Sequence, residues 1–355
     1  MEISKVYDIA FSTEESIMTA SLSGPSELIM LMSSGDVIRY NIEKQEGEGL
    51  FSVKSNISYQ DGGFDINAPS TIYTLDSIVV IVNDYKRHGF VHYPNKYKSL
   101  HLWRQDYHAD ISCYPIALFK NEAGIPHLIY GEAWNHIQIM NLESRQVLTA
   151  SKSLIEENAE KRHLEFYKKN KLPWPRPYDY FFGKLEMSPN KKNFLSAGWA
   201  WGSYDAYNIY EIDHFINNNR ISDKNIGGWE HCNRAVCWID DETVAISYNP
   251  LEEEDEDSTK DSPHEIHFYK IGDKKSEIER KIQITGLDIV NSKIYFNREL
   301  NSIILISDNN GVAILSLDGE IMFHDESMAQ DVYYSELNLF MKSDSNSVTV
   351  HQIRK

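Results

Sequence analysis

Tryptophan, tyrosine, histidine and arginine recur in the polar segments that separate apolar runs between residues 85 and 231. Tryptophan, tyrosine and arginine are the residue types most enriched at the energetic centres of protein interfaces. Exposed aromatic patches lower solubility, so a cluster of them in loops indicates a function. We therefore predict a binding surface formed by Tyr85, Arg87, Trp103, His108, Trp134, His136, Trp199, Trp201, Tyr204, Trp229 and His231.

A structural interpretation of the same rings stays open. Large aromatic side chains also fill the interior of closed β folds, where they bury a large apolar area. A ring that packs the core would be needed for stability and would not touch a partner. Exposure and stability of the individual rings distinguish the two interpretations.

Catalytic signatures are missing from the chain. There is no Gly-x-Ser-x-Gly elbow, no phosphate-binding Gly-x-x-x-x-Gly-Lys loop and no His-x-x-x-His pair on a helix. Oxygen ligands that would suit calcium do occur, but the same residue types also cap turns. These candidate calcium ligands are Asp84, Glu132, Asn135, Asp205 and Glu230. We predict neither a metal nor another cofactor, and a metal-dependent hydrolase or lactonase with a site in a central channel stays an alternative.

The charge of the chain limits its partners. Lys and Arg total 35 against 53 Asp and Glu, which gives a net charge of −18. Nucleic acids and anionic membranes need a basic face, so neither is expected as a partner. A basic protein or peptide fits this charge better, and an immunity or antitoxin-like inhibitor of a basic toxin is a second alternative.

Cysteine usage and hydropathy predict a cytoplasmic protein. Three cysteines, Cys113, Cys232 and Cys237, are too few and too irregularly spaced for a disulfide framework or a zinc site. The N-terminus has no secretory pattern, and no run of about 18 apolar residues predicts a transmembrane helix. Oligomeric state is left open by the sequence.

Seven segments alternate apolar with polar or small residues, the period of a β-strand with one buried face. They are residues 36–43, 89–96, 136–143, 207–214, 265–272, 311–318 and 347–354. Each follows another apolar strand across a turn that contains Gly, Asn, Asp or Ser. Dividing 355 residues by seven gives about 51 per unit, near the roughly 40–50 residues of a four-stranded propeller blade.

The pattern predicts an all-β fold, a single-domain seven-bladed β-propeller of four-stranded antiparallel blades. The last unit lacks an outermost strand, and SKVYDIAFS (4–12) can supply it and close the fold. Two insertions account for the extra length: the acidic loop 249–265, with six consecutive carboxylates, and residues 151–180. The acidic run predicts a solvated loop, or else a docking site for a basic partner.

The insertion 151–180 is the one predicted helix. Ser153 and Glu156 have capping-box spacing, and the helical pattern continues to residue 170. Three prolines then predict an extended path. We expect this helix to pack on the propeller, with a partner-binding arm as the alternative.

Residues 185–201, LEMSPNKKNFLSAGWAW, are similar to the strand, Ser-Pro-Asn/Asp-Gly-Lys, strand signature of bacterial propellers. Together with the repeated strands, this segment resembles the WD-repeat-like β-propeller superfamily over nearly the whole chain. The resemblance implies a propeller fold and a role in binding, and it carries over no catalytic residues. We therefore expect a non-enzymatic protein- or peptide-binding module that uses an aromatic-rich face of blades 2–5.

Overall fold

The structure is a computed structural model that describes residues 1–11, 14–54, 59–150, 155–166, 178–230, 234–248, 264–272, 276–287, 289 and 292–354. It confirms the predicted fold class. Seven four-stranded antiparallel sheets are the blades of a seven-bladed β-propeller. Contacts divide the chain into two compact units, Met1–Trp103 with Cys232–Lys270 and Ile278–Lys355, and Arg104–His231 with Ile271–Glu277.

The first unit holds five blades. Blade 1 comprises β2 (Ile17–Gly24), β3 (Glu27–Met32), β4 (Asp36–Asn41) and β5 (Glu46–Ser52). Blade 2 comprises β6 (Ser70–Leu75), β7 (Ile78–Asn83), β8 (His88–Tyr93) and β9 (Tyr97–Trp103). Blade 5 comprises β20 (Val236–Trp238), β21 (Thr243–Tyr248), β22 (His264–Lys270) and β23 (Glu277–Ile284). Blade 6 comprises β24 (Lys293–Asn297), β25 (Ser302–Ser307), β26 (Gly311–Ser316) and β27 (Ile321–Asp325). Blade 7 comprises β28 (Val332–Tyr334), β29 (Leu339–Asp344), β30 (Ser347–Arg354) and β1 (Glu2–Ala10).

The second unit holds two blades and the described helices. Blade 3 comprises β10 (Ile116–Lys120), β11 (Pro126–Ala133), β12 (His136–Asn141) and β13 (Gln146–Val147). Blade 4 comprises β15 (Phe181–Met187), β16 (Asn193–Ala200), β17 (Tyr204–Glu211) and β19 (Asp223–Glu230). The remaining elements are β14 (Ile155–Glu156), α1 (Ala159–Phe166), α2 (Ile212–Asn217) and β18 (Arg220–Ile221).

The N-terminal strand completes the sheet of the C-terminal strands, as the sequence predicts. Strand β1 pairs antiparallel with β30, from Glu2 opposite Arg354 to Ala10 opposite Ser347. The ladder has one irregularity, between Lys5 and Tyr7. This pairing covers the outer edge of β30 and makes β1 the outermost strand of blade 7, so the first strand of the chain completes the last blade.

The prediction of one buried face per alternating strand is wrong for β8, β12, β17, β22 and β26, whereas β30 keeps a single buried face over most of its length. In β26 the residues from Val312 to Leu315 are all buried. Val312 and Ile314 pack with Phe340 of blade 7, whereas Ala313 and Leu315 belong to the core shared with blade 5. The period of two therefore sorts side chains between two blade-to-blade cores rather than between core and solvent.

The predicted helix begins later than the sequence indicates, and a second helix was missed. Ile155 and Glu156 form β14, which pairs in parallel with β18, so α1 begins only at Ala159. Ser153 and residues 167–177 lie outside the described residues. The strand predicted to reach residue 214 ends at Glu211, and α2 follows because Ile212 and Phe215, three residues apart, are both buried.

The predictions for the acidic loop and the cysteines concern residues that the structure describes only in part. The acidic loop lies outside the described residues except for its last two positions. Cys113 and Cys237 are free thiols, and Cys232 lies outside the described residues. In the described ranges, none of the helices has the length and apolar character that crossing a bilayer requires.

Candidate functional site

Four of the predicted site residues meet in the second unit, in contact with two rings that the sequence interpretation did not include. Phe181 lies at the centre of the group, and Tyr107 lies at its surface. We call these six residues the aromatic cluster: Tyr107, His108, Trp134, Phe181, Trp199 and Trp201.

Phe181 organises the aromatic cluster from the first position of β15. It is fully buried and lies opposite Trp199 of β16 in the strand ladder. The two rings are parallel, with centroids 3.6 Å apart and planes 9° from coplanar. Trp134 packs on Phe181 at 4.3 Å, and Trp201 meets its ring edge-on at 4.9 Å and 84°. Such aromatic pairs contribute about 0.5–1.5 kcal/mol beyond the area that they bury.

Two rings of the aromatic cluster face solvent. Tyr107 is 50% exposed and Trp201 is 47% exposed. Their centroids lie 6.3 Å apart, and Trp134 lies 5.9 Å from Tyr107 and 6.1 Å from Trp201. Because the three rings contact one another, they form a continuous aromatic platform rather than an open cage.

Hydrogen bonds fix the orientation of two indoles that contact Phe181, Trp199 in β16 and Trp201 in the turn that follows β16. Trp199 Nε1 donates to Ser112 Oγ at 2.8 Å, and Trp201 Nε1 donates to Asp179 Oδ1 at 2.6 Å. A half-buried indole N–H needs such a partner, since leaving it unpaired would cost desolvation energy. The exposed ring of Trp201 is therefore held in place without any bound partner.

A buried arginine supports the loop that carries Tyr107 and His108. Arg104 Nη2 donates to the carbonyl oxygens of Ala109 and Ser112, each at 2.9 Å, and its guanidinium lies 4.6 Å from the ring centroid of Tyr114. Burial raises the pKa of Tyr114 far above its usual value, so this ring stays neutral. His108 has a φ of 53°, and the amide N–H of Ser112 bonds its carbonyl at 3.1 Å to close the turn.

Two glycines allow β15 and β16 to approach closely enough for the Phe181–Trp199 stack. A Cβ on Gly198 would lie 2.1 Å from the carbonyl oxygen of Phe181, and a Cβ on Gly183 would lie 2.1 Å from that of Ala197. The ladder shifts register between Phe181 and Lys184 at this place. Only glycine fits at such a close backbone approach.

Arg87 and Trp103, two more of the predicted site residues, meet in the first unit, and Tyr85 lies two residues before Arg87 in the chain. Trp103 and Tyr85 are both exposed. The guanidinium carbon of Arg87 lies 4.7 Å from the ring centroid of Trp103, and Arg87 Nη1 lies 3.1 Å from Asp61 Oδ2. Arginine is thus held between an indole face and a carboxylate, an arrangement that we call the Arg87 sandwich.

A linear chain of titratable groups, which the sequence interpretation missed, extends from Asp61. His88 Nε2 lies 2.9 Å from Asp61 Oδ2, His88 Nδ1 lies 2.8 Å from His101 Nε2, and His101 Nδ1 lies 3.2 Å from the Tyr59 hydroxyl. With Asp61 ionised and both imidazoles neutral, one assignment pairs every atom: Tyr59 donates to His101, His101 to His88, and His88 to Asp61. Because the four groups lie in a line, they do not converge on a metal ion.

The environment lowers the pKa values of two of these groups, His101 and Asp61. Burial lowers the pKa of His101, and the neighbouring His88 lowers it further. Burial alone would raise the pKa of Asp61, but hydrogen bonds from His88 and the Gly63 amide, with the charge of Arg87, lower it overall. Asp61 is therefore ionised at neutral pH, as the assignment of the chain requires.

The remaining predicted site residues are His136, Tyr204, Trp229 and His231. His136 Nδ1 lies 3.2 Å from Glu132 Oε2, which also accepts a hydrogen bond from Gln138. Tyr204 begins β17. Trp229 was predicted in a loop, but its backbone lies in β19 opposite Ala206. His231 lies outside the described residues.

Two of the candidate calcium ligands serve other partners. Glu132 is engaged as above, and Asn135 Nδ2 donates to the Tyr178 carbonyl at 2.7 Å. Asp205 is buried opposite Trp199 in the ladder. Across the described ranges, no three His, Cys, Asp or Glu side chains are grouped so that they could hold a metal ion.

Compared with known protein families and with curated proteins, the chain matches none. The seven-bladed β-propeller fold and the geometry of the aromatic cluster are therefore the basis for assigning a function.

Proposed function

We propose that this protein is a non-enzymatic binding module that holds a protein or peptide on the aromatic cluster. The observation that carries this proposal is the pair of exposed rings, Tyr107 and Trp201, mounted on the buried ring of Phe181. Tryptophan and tyrosine anchors of this kind supply most of the binding energy at protein interfaces. The resemblance to WD-repeat-like propellers also favours a binding role.

The rigidity of the aromatic cluster supports the same proposal. Hydrogen bonds to Asp179 and Ser112 hold the indoles of Trp201 and Trp199, and Arg104 holds the loop that bears Tyr107. A side chain that is already ordered loses little conformational entropy when a partner binds. The cluster is therefore built as a preorganised contact surface.

The charge of the chain favours a basic partner. A net charge of −18 attracts positively charged proteins over long distances and accelerates their association. An inhibitor of a basic toxin is a specific form of this function. The cytoplasm fits such a role, and the cytoplasmic location is part of the proposal.

The test compares two exposed positions of the chain. Trp201→Ala removes an anchor of the aromatic cluster, and Met322→Ala removes a side chain of similar exposure, 45% against 47%, from β27. Immobilised wild type and Met322→Ala should retain the same stoichiometric protein from a native lysate. Trp201→Ala should bind it more weakly by about 2 kcal/mol or more, roughly thirtyfold. Equal affinity for all three proteins would contradict the proposal.

Metal analysis separates this function from the enzymatic alternative. A hydrolase or lactonase of the kind considered above would need a bound cation such as calcium for its chemistry. Purified protein that contains calcium in a one-to-one ratio, and that loses its melting stability after chelation, would support the hydrolase. The binding module requires no metal, so chelation should leave its affinity for the partner unchanged.

A further inference from the structure

We propose that the aromatic cluster binds the guanidinium of an arginine side chain in the partner, which stacks on Trp201 and pairs with Asp179. This inference rests on the proposed binding function and names the chemistry of its anchor. Three features of the described residues support it: the negative charge of the surrounding segments, the hydrogen bond between the Trp201 indole and a carboxylate, and the similar arrangement in the Arg87 sandwich.

The segments that form the aromatic cluster are acidic. Residues 104–112, 132–136, 178–183 and 199–205 contain five carboxylates and a single cationic side chain, the buried and fully engaged guanidinium of Arg104. The five carboxylates belong to Asp106, Asp110, Glu132, Asp179 and Asp205. Asp106, Asp110 and Asp179 are exposed, so the solvent-facing side of these segments is negatively charged.

Trp201 is suited to a cation on its face. Tryptophan gives the strongest cation–π interactions of the aromatic side chains. Its Nε1–H donates to the Asp179 carboxylate at 2.6 Å, and this bond to an anion raises the electron density of the indole ring. The same carboxylate has lone pairs left to accept hydrogen bonds from a cation that lies on the ring.

The Arg87 sandwich shows what completes such a pair. There a guanidinium lies over the indole of Trp103 and beside the carboxylate of Asp61. Trp201 and Asp179 offer the same two partners, an indole face and a carboxylate. A planar guanidinium can stack on the ring and bond the carboxylate at once, which an ammonium does less well.

The packing of the rings determines where the guanidinium lies. Tyr107, Trp134 and Trp201 are in mutual contact, with centroids between 5.9 Å and 6.3 Å apart. No cation fits between them, so the guanidinium must lie on the outer face of Trp201, next to Tyr107. The site therefore selects a side chain at the surface of a partner rather than one that inserts into a cage.

Fluorine NMR of protein labelled with 5-fluorotryptophan tests the inference. The resonance of residue 201 is assigned with Trp201→Phe, and the probes are acetyl-Gly-Arg-Gly-amide and its citrulline isostere, which has the same shape without charge. The arginine peptide should shift the resonances of Trp201 and Trp134 and bind about tenfold more tightly than the citrulline peptide. A lysine peptide should bind with intermediate affinity.

Asp179→Asn and Asp36→Asn form a matched pair of variants. Asparagine at 179 keeps an acceptor for the Trp201 N–H but removes the charge, so affinity for the arginine peptide should fall about fivefold and affinity for the citrulline peptide should not change. Asp36 is an exposed carboxylate of β4, outside the cluster segments, and its variant should behave as wild type.

Equal shifts from the arginine and citrulline peptides, or no shift from either, would overturn the guanidinium anchor. If partner affinity still depends on Trp201 in that case, the proposed function stands and only the anchor is rejected. Conversely, arginine selectivity together with unchanged partner affinity in Trp201→Ala would reject the proposed function and keep the anchor.

Discussion

At the scale of single residues, the exposed rings of the aromatic cluster depend on side chains that have no part in binding. Arg104 is the clearest of them, because its guanidinium is buried and holds two carbonyl oxygens of the loop that presents Tyr107. Sequence reasoning selected the exposed ring of Trp201 by its residue type. It could not select Arg104, since nothing in the sequence separates a buried, engaged arginine from a solvated one.

Replacing Arg104 should therefore loosen the loop. A lysine has one point charge and cannot reproduce the two hydrogen bonds to Ala109 and Ser112, so Arg104→Lys should cost about 2–3 kcal/mol of unfolding free energy. Arg280→Lys is the control, since Arg280 lies 4.4 Å from the Phe268 ring centroid but is 39% exposed. Denaturant unfolding measures both variants, and an equal, small loss in both would contradict this role for Arg104.

The titration of His101 makes stability depend on pH. Burial holds its pKa below the usual value in the folded state, so the unfolded state binds more protons as the pH falls through about 6.5. The unfolding free energy that the neutral His101 contributes above that pH is therefore lost as the pH falls through the pKa of His101 in the folded state. Burial likewise lowers the pKa of His127, His267 and His351, so they act in the same direction.

The histidine chain can be tested with one variant. Glutamine at position 101 can still donate to His88 but cannot take up a proton, so His101→Gln should lose less unfolding free energy than wild type between about pH 7.5 and pH 5.5. Urea unfolding at the two pH values measures the difference. An identical pH dependence in both proteins would contradict this, because it would require His101 to bind protons equally in the folded and the unfolded state.

At the scale of elements, periodicity located strands well and assigned their environment less well. All seven predicted alternating segments overlap the third strand of a blade, because the turns around them carry strong signals. In strands such as β26 both faces are buried and the prediction of one exposed face was wrong, since a period of two looks the same whether the second face meets solvent or a neighbouring blade. Helix α2 was missed because its six residues continue the apolar pattern of β17.

Rings beside turn residues were predicted, and so was Trp199 inside β16, whereas the ring at the start of β15 was missed. Trp134 and Trp201 were found because Asn135 and Gly202 mark turns beside them. Phe181 was missed, since it directly follows a proline-rich segment that predicts no strand. The Gly227–Gly228 pair, with φ values of 75° and 65°, lies inside β19, so the loop predicted around Trp229 was wrong.

Close backbone approach in blade 4 gives a prediction at this scale. Gly198→Ala would place a Cβ against the Phe181 carbonyl and the Tyr180 hydroxyl, so β15 must shift and the Phe181–Trp199 stack must open. Such overpacking should cost about 1–3 kcal/mol. Gly49→Ala in β5 is the control, because its Cβ would meet no atom within 4 Å. Thermal unfolding should separate the two variants, and similar melting temperatures would contradict the argument.

At the scale of the whole molecule, the pairing of the two termini was fully predictable. The sequence showed a last blade that lacks its outer strand and a first strand without a blade, so the two were expected to pair, and β1 does pair with β30. Deleting residues 1–10 should remove the hydrogen bonds between β1 and β30. At about 1 kcal/mol or less for each hydrogen bond, the unfolding free energy should fall by several kcal/mol. A synthetic peptide of residues 1–12 added to the truncated chain should restore much of the melting temperature. A truncated chain that melts like the intact protein would disprove this role of β1.

The most direct test of the account measures affinity and stability on the same variant, Trp201→Ala. The aromatic cluster is a contact surface if partner affinity falls by about 2 kcal/mol or more. Truncating a buried tryptophan costs about 3–5 kcal/mol of unfolding free energy, and Trp201→Ala should cost much less than that. A steep loss of stability with unchanged affinity per folded molecule would show instead that Trp201 packs the fold and that the binding surface lies elsewhere.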